Sequence, residues 1–300
     1  MSIDLSKLLT ERRNANSANI DTLSTVEMLT VINQEDRLVA EAITPYLPQI
    51  AQVVDKVATA LQAGGRLIYI GAGTSGRLGI LDASECPPTF GTRPEQVVGI
   101  IAGGHKAILS AVENVEDNKA QGAMDLQNLN FSNRDVLVGL AASGRTPYVI
   151  GAMEYAHSQN AFVAIVSCNP HGEMARLADV AITPVVGPEV VTGSTRLKAG
   201  TAQKLVLNMI STGAMIRVGK VYSNLMVDVE ATNAKLIERQ ISIVMEATEC
   251  DRDAAQRALD ACSRHCKTAI VMVLADLSAE EAQSLLAKNS GYIRKALGNA

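Results

Sequence analysis

Two short stretches rich in glycine and hydroxyl side chains hold the residues best suited to bind an anion. The first, residues 71–76, reads Gly-Ala-Gly-Thr-Ser-Gly and follows the apolar residues 67–70. Its glycines allow a tight turn, while the Thr74 and Ser75 hydroxyls and the free N–H groups at the start of the next helix, near Gly76, can all donate to one ligand. The pattern predicts a strand, a turn and a helix that bind a phosphate group.

The second stretch, residues 142–147, reads Ala-Ser-Gly-Arg-Thr-Pro and follows the apolar residues 136–141. Ser143 and Thr146 supply hydroxyls, Gly144 supplies the turn, and the final proline suits the first position of a helix. The carboxyl ends of parallel strands lie at one edge of a sheet. We therefore expect the two loops to converge on one phosphate.

A dinucleotide site must be weighed against the phosphate site, because Gly71, Gly73 and Gly76 also satisfy the G-x-G-x-x-G pattern. A nicotinamide site should have an acidic residue at the end of the second strand, roughly 20 residues on. The next apolar run, residues 97–102, leads instead into Gly-Gly-His at 103–105. No Gly-Lys-Ser/Thr follows the first loop, which excludes a Walker loop. A tight turn without a ligand stays open as an alternative.

Composition limits the class of protein that positions these loops. The 300 residues are 47% hydrophobic and 3% aromatic, without tryptophan, which suits α/β packing around one large core. A net charge of −4 argues against nucleic-acid and anionic-membrane surfaces. Charges at residues 1–7 and the lack of about 18 consecutive apolar residues predict a cytoplasmic protein. The cysteines at 262 and 266 are expected on a buried helix face rather than at a metal.

The order of the elements predicts an α/β fold with a five-stranded parallel sheet between helices, followed by a small helical domain. The expected strands are 66–71, 97–102, 136–141, 162–167 and 180–184. The expected helices include 25–33, 34–43, 47–61, 78–85, 107–112, 113–129, 148–157 and 198–218, with Pro87 and Pro88 ending the fourth. We predict an N-terminal arm and helices at 1–45, the phosphate-binding domain at 46–230 and a helical bundle at 231–300. The polar residues 1–24 are expected to form an extended arm on a partner subunit.

The paired loops resemble those of the SIS fold, which phosphosugar isomerases and their relatives share. In that family the hydroxyls of both loops hold a sugar phosphate, so the resemblance implies phosphate contacts at Ser75, Ser143 and Thr146. Many members carry a further serine two positions before Ser143, where this chain has Ala141. The Thr74 hydroxyl or backbone N–H groups would then replace that donor.

Longer runs at 71–91, 111–117 and 189–201 are similar to the N-acetylmuramic acid 6-phosphate etherase family, and the similarity extends over nearly the whole chain. The related glucokinase regulatory protein is far longer and has two SIS domains. The resemblance implies cleavage of the ether between sugar C3 and D-lactate in cell-wall amino sugar catabolism, without metal or cofactor. It also implies a homodimer.

Glu85 and Glu116 match the two acid/base positions of that family. We expect Glu116 to remove the C2 proton of the ring-opened sugar and Glu85 to protonate the departing lactyl oxygen. Glu85 precedes two prolines and apolar neighbours, so we expect it to be partly buried, which would raise its pKa. Otherwise, Glu85 is a helix-end acid facing water and Glu116 is an ordinary acid at a helix start.

Four further polar residues are weaker candidates for the substrate pocket. His105 follows two glycines, Arg196 and Lys198 can attract the lactyl carboxylate, and Glu189 lies in the same loop. Solvated turns and helix starts explain them equally well. An aldose–ketose isomerase or a noncatalytic phosphosugar sensor on the same fold remains an alternative to the lyase.

Overall fold

The computed structural model describes residues 9–231 and 233–298, which form two compact units. The first unit extends to Ser84 and resumes over Glu95–Ser211. The second comprises Glu85–Pro94 and the chain from Thr212 onward. The domain boundaries that the sequence predicts at residues 45 and 230 stay a prediction.

The first unit contains a five-stranded parallel sheet in the order β2-β1-β3-β4-β5. The strands are β1 (Leu67–Gly71), β2 (Val97–Ile101), β3 (Val136–Leu140), β4 (Phe162–Val166) and β5 (Val180–Ile182). Strands β1 and β3 are buried along their whole length because helices cover both faces. The predicted fold class is confirmed.

Helices α1 to α8 belong to this part of the chain, and α3 and α8 continue into the second unit. They are α1 (Thr25–Ile43), α2 (Leu47–Gln62), α3 (Gly73–Phe90), α4 (Gly104–Leu109), α5 (Lys119–Asn128), α6 (Pro147–Ser158), α7 (Glu173–Leu177) and α8 (Lys198–Arg217). Short 3₁₀ turns occupy Leu9–Glu11, Ala15–Ser17, Ile20–Thr22 and Thr44–Tyr46.

The second unit is helical apart from a small antiparallel hairpin that the sequence pattern did not predict. Its elements are β6 (Val221–Tyr222), β7 (Leu225–Met226), α9 (Ala234–Thr248), α10 (Arg252–Ala261), α11 (Cys266–Ala275), α12 (Ala279–Lys288) and α13 (Ile293–Ala296). Cys262 and Cys266 are buried in its core, but they do not share one helix, because Cys262 is the C-cap residue of α10 and Cys266 is the first residue of α11.

Three local predictions were wrong. Helices 25–33 and 34–43 are one helix, α1, whose start is closed by a capping box between Ser24 and Glu27. Helix α3 continues through Pro87 and Pro88, since a proline removes a hydrogen bond and kinks a helix without always ending it. Residues 113–117 are irregular, because Asn118 accepts from Gln121 N and starts α5 there.

The N-terminal segment packs on its own unit over the residues that the structure describes. Asn14 Nδ2 donates to Pro188 O at 3.1 Å, and Ser17 Oγ donates to Val190 O at 2.8 Å. The predicted extended arm is therefore wrong for residues 9–24, because their side chains find hydrogen-bond partners nearby. Residues 1–8 lie outside the described part of the chain.

The described residues hold neither a metal-ion cluster nor a membrane-spanning helix. Residues 9–231 and 233–298 include no group of three or more His, Cys, Asp or Glu side chains arranged to hold a metal ion. Over the same ranges, no helix is long and apolar enough to cross a membrane.

Arg66 and Asp135 join the amino-terminal ends of β1 and β3 and predict how stability depends on pH. Arg66 Nε and Nη2 donate to the two carboxylate oxygens at 2.9 and 2.8 Å. Burial alone would raise the pKa of Asp135, but the hydrogen bonds and charge of Arg66 hold it below its ordinary value. The stability that the Arg66–Asp135 pair contributes is present above the unfolded pKa of Asp135, about 4. It is lost as pH falls through the folded pKa of Asp135.

Asp135→Asn is expected to lower the free energy of unfolding by about 2 kcal/mol at neutral pH, because one charge-assisted pair is lost. Between about pH 5 and pH 3 the variant should lose less stability than the wild type. Urea unfolding at several pH values measures both effects. Equal pH slopes for the two proteins would contradict the assignment.

Candidate active site

The two predicted phosphate loops follow adjacent strands at the point where the strand order changes direction. From β1 the chain passes to β2 on one side of the sheet, and β3 then pairs with β1 on the other side. Ligands of open α/β sheets bind at the carboxyl ends of such a pair of strands. The fold therefore brings both loops to one edge of the sheet.

The first loop is a tight turn that connects β1 to α3. Gly73 has φ +53 and begins the helix, so Thr74, Ser75 and Gly76 occupy its first turn. A Cβ on Gly76 would lie 2.8 Å from Gly71 O, whereas a Cβ on Gly73 would meet nothing within 4 Å. The turn is thus closed on the protein side and open on the Gly73 side, where helix N–H groups can meet an anion.

The second loop is fixed by its backbone and keeps hydroxyl hydrogens available. Gly144 has φ +67, and its carbonyl accepts from Met174 N at 3.0 Å. Ser143 Oγ accepts from Arg145 N at 3.3 Å, which leaves its own hydrogen to donate. Thr146 is the N-cap residue of α6, yet its side chain makes no capping bond. Both hydroxyls can therefore donate to a ligand.

Ser75 differs from Ser143 because its hydroxyl already donates within the protein. Ser75 Oγ donates to Gln203 Oε1 at 2.9 Å, and Gln203 Nε2 donates to Val166 O at 3.3 Å. A phosphate would receive the Ser75 hydrogen only if the hydroxyl turned away from Gln203. Sequence reasoning missed Gln203, since it lies on α8, far along the chain.

Glu116 lines a cavity of about 400 Å³ next to the first loop. Gly73 and Arg77 form one side of this cavity, and residues 111–116 form the other. Arg77 Nε donates to Ile108 O at 3.0 Å, which ties α3 to the end of α4. The cavity thus contains a guanidinium and an exposed carboxylate beside the loop at Gly73. Arg77 was also missed, although it follows the loop by one residue.

Glu85 lies in the second unit, where its side chain is exposed. Cys86 and Phe90, one helical turn apart, take the buried face of α3 with 2% and 7% exposure. Glu85 is on a different face, so the expected partial burial is wrong. The helix continues past the prolines, and its periodicity decides which side chains are covered.

His105 and Arg196 are both exposed but lie in different places. His105 is in the first turn of α4 and lines a neighbouring cavity of about 740 Å³ beside β2, which shares residues 113–115 with the Glu116 cavity. Arg196 precedes α8 and has no hydrogen bond or ion pair with the residues described. Neither residue lines the Glu116 cavity.

Glu189 and Lys198 are buried together, with 0% and 1% exposure. Glu189 accepts from Lys198 N at 2.9 Å and from Ala199 N at 3.0 Å, and thus caps α8. Burial raises the pKa of Glu189, although these hydrogen bonds act against the rise. Lys198 Nζ lies 2.5 Å from Glu35 Oε2. Both predicted pocket residues therefore have partners inside the protein, which the sequence pattern did not reveal.

Comparison with known proteins relates this geometry to two family models. The model of the glucokinase regulatory protein N-terminal SIS domain matches residues 49–157, and the SIS domain model matches residues 107–212. A phosphoheptose isomerase from Francisella tularensis superposes with a TM-score of 0.51 at 19% identity, over 65% of this chain and 100% of that one. That structure supports the fold alone.

Curated relatives are much closer in sequence. The N-acetylmuramic acid 6-phosphate etherase of Klebsiella aerogenes is 94% identical over 299 residues, which is 100% of each chain. The chain belongs to the N-acetylmuramic acid 6-phosphate etherase family. The etherase of Photobacterium profundum is 69% identical over 297 residues, or 99% of each chain. Membership of the etherase family confirms the resemblance drawn from the motifs.

Proposed function

We propose that this member of the etherase family cleaves the D-lactyl ether of N-acetylmuramic acid 6-phosphate. The products are N-acetylglucosamine 6-phosphate and D-lactate, so the reaction is that of a carbon–oxygen lyase. The observation that carries the proposal is the 94% identity to the Klebsiella aerogenes etherase over the whole chain. The open phosphate loops at the β1 and β3 ends agree with a phosphorylated substrate.

The chemistry requires one base and one acid. In the open-chain sugar the C1 aldehyde acidifies the C2 hydrogen. A base removes that proton, the C3–O bond breaks, and an acid protonates the departing lactyl oxygen. Water then adds to C3 of the unsaturated aldehyde, and the same two groups act in reverse. C3 loses and regains oxygen at one oxidation level, so the reaction needs no redox cofactor.

We assign the base at C2 to Glu116 and the acid at the lactyl oxygen to Glu85. The position of Glu116 supports its role, because its carboxylate lines the cavity beside Gly73. Glu85 is assigned through its match to the family's second acid/base position. General acid and general base catalysis each contribute roughly 10²–10⁴-fold.

We assign phosphate binding to the two loops and the helix starts behind them. Ser143, Thr146 and Thr74 are the hydroxyl donors, with backbone N–H groups of the first turn of α3 at Ser75 and Gly76. Lys198 and Glu189, by contrast, hold the start of α8 and do not contact substrate. We further propose a cytoplasmic homodimer, on the family resemblance.

The experiment that tests the activity is a D-lactate assay with N-acetylmuramic acid 6-phosphate and the purified protein. Release of D-lactate, with solvent oxygen incorporated at C3, is the expected result. If no lactate appeared but the sugar phosphate still raised the melting temperature, the proposal that the two loops bind phosphate would be retained. The lyase would then give way to an isomerase or a phosphosugar sensor.

Ser143→Ala is expected to raise KM about 10-fold and to leave kcat nearly unchanged. The variant loses one charge-assisted hydrogen bond to the phosphate, which is the same in the ground and transition states. Steady-state kinetics measure the two constants. Ser110→Ala is a matched control, because its exposed hydroxyl donates to Lys106 O. A fall in kcat alone would contradict phosphate binding by Ser143.

A further inference from the structure

Helices α5 and α6 cross with their backbones in unusually close contact. A Cβ on Gly122 of α5 would lie 1.9 Å from Tyr148 O of α6. A Cβ on Gly151 of α6 would lie 1.9 Å from Lys119 O of α5. Real side chains do not approach backbone atoms so closely, so any larger residue at either glycine would push the helices apart.

These two helices carry the two parts of the proposed site. Glu116 lies three residues before the start of α5, and the second phosphate loop ends at Thr146, the N-cap residue of α6. Glu116 O accepts from Tyr148 N at 2.9 Å. The backbone of the proposed base is therefore hydrogen-bonded to the first turn of the helix that follows the phosphate loop.

A side-chain hydrogen bond also joins α5 and α6. Tyr148 is fully buried, and its hydroxyl donates to Asp125 Oδ2 at 2.5 Å. Gln121 Nε2 donates to the other oxygen of Asp125 at 2.7 Å. Burial and the neighbouring Asp125 carboxylate raise the pKa of Tyr148, so its hydroxyl stays protonated and keeps donating. The side chain of Tyr148, which belongs to α6, is thus hydrogen-bonded to α5.

We propose that Tyr148 is a positioning residue that sets the distance between the phosphate loop at Ser143–Thr146 and the carboxylate of Glu116. The inference rests on the proposed function, because it takes these groups as the phosphate site and the base. The proposed substrate carries its phosphate on C6 and its reactive hydrogen on C2. Once the phosphate is bound, the Glu116 carboxylate reaches C2 only at one distance from the phosphate loop. Small displacements of the carboxylate from that position lower the reaction rate.

Tyr148→Phe removes the bond to Asp125 and keeps the ring. We expect kcat to fall about 10-fold, while KM stays within about 2-fold of the wild type. Gly122→Ala forces the helices apart and should lower kcat by roughly 10²-fold. Gln127→Ala is the control, because Gln127 lies on the exposed side of α5. Asp125→Asn, which retains an acceptor, should keep more activity than Asp125→Ala.

Amide hydrogen exchange supplies a readout that does not depend on activity. Tyr148→Phe should speed exchange in residues 113–118 and leave exchange at 141–146 unchanged, with or without inorganic phosphate. Unaltered exchange at 113–118, or a raised KM at constant kcat, would overturn the inference. If the wild type released no lactate, the proposed function would fail, while the exchange data would still decide whether Tyr148 positions this segment.

Discussion

Glu116→Gln is expected to abolish hydrogen exchange at C2 and to lower D-lactate release by roughly 10²–10⁴-fold. Glutamine has nearly the same shape as glutamate, so the cavity beside Gly73 should persist. Its amide cannot accept the C2 proton, however, and both the exchange and the elimination that follows it depend on that transfer. NMR in heavy water measures exchange, and a lactate assay measures elimination.

Glu113→Gln is a matched control, because Glu113 is exposed and lines the same cavity as Glu116. It should retain most of the activity. Glu85→Gln should behave differently from both, with C2 exchange retained and lactate release slowed, since only the departing oxygen lacks its proton donor. Normal C2 exchange in Glu116→Gln would remove Glu116 as the base. Wild-type lactate release by Glu85→Gln would remove Glu85 as the acid.

Lys198→Met is expected to lower the free energy of unfolding by about 3–5 kcal/mol, because it leaves a buried carboxylate without its cation. Glu35 is 5% exposed and accepts from Lys198 Nζ, from Asn14 at 2.8 Å and from Asn16 at 2.8 Å. Burial would raise the pKa of Glu35, but the hydrogen bonds from Asn16, Lys198 and Asn14 lower it overall. Urea unfolding measures the loss.

A second variant separates charge from packing at this pair. Glu35→Gln combined with Lys198→Met removes both charges and should recover a large part of the stability lost in Lys198→Met alone. The pKa of Glu35 is lowered, so its contribution is present above about pH 4.3 and disappears as pH falls through the folded value. If Lys198→Met were stable but had a raised KM, Lys198 would be a substrate contact after all.

Local signals determined the elements that carry the candidate site. Short apolar runs between glycine-rich turns predict buried parallel strands, and the structure has them within one or two residues of the expected bounds. Pro147 opens α6 because a proline costs no hydrogen bond at the first position of a helix. Such features depend only on a few residues that are neighbours in the chain, so they can be predicted from the sequence.

Tertiary structure decided the features that depend on partners far along the chain. The charge pattern predicts that Lys198 is available to substrate, yet its ammonium binds Glu35, which lies 163 residues away. Ser75 matches a phosphate contact, yet its hydroxyl donates to Gln203, 128 residues away. Burial and hydrogen bonding are set by whichever groups the fold brings within about 3 Å. Spacing within a motif carries no information about those groups.

The sequence by itself therefore determined the sheet, the two loops at its edge and the family of the chain. Only the tertiary structure placed Glu116 beside Gly73, bonded its backbone to Tyr148 and left Glu85 exposed. The physical reason is that a loop's sequence limits its own backbone, whereas the position of a carboxylate relative to a phosphate site depends on how two helices pack. Here that packing depends on the close contact at Gly122 and Gly151.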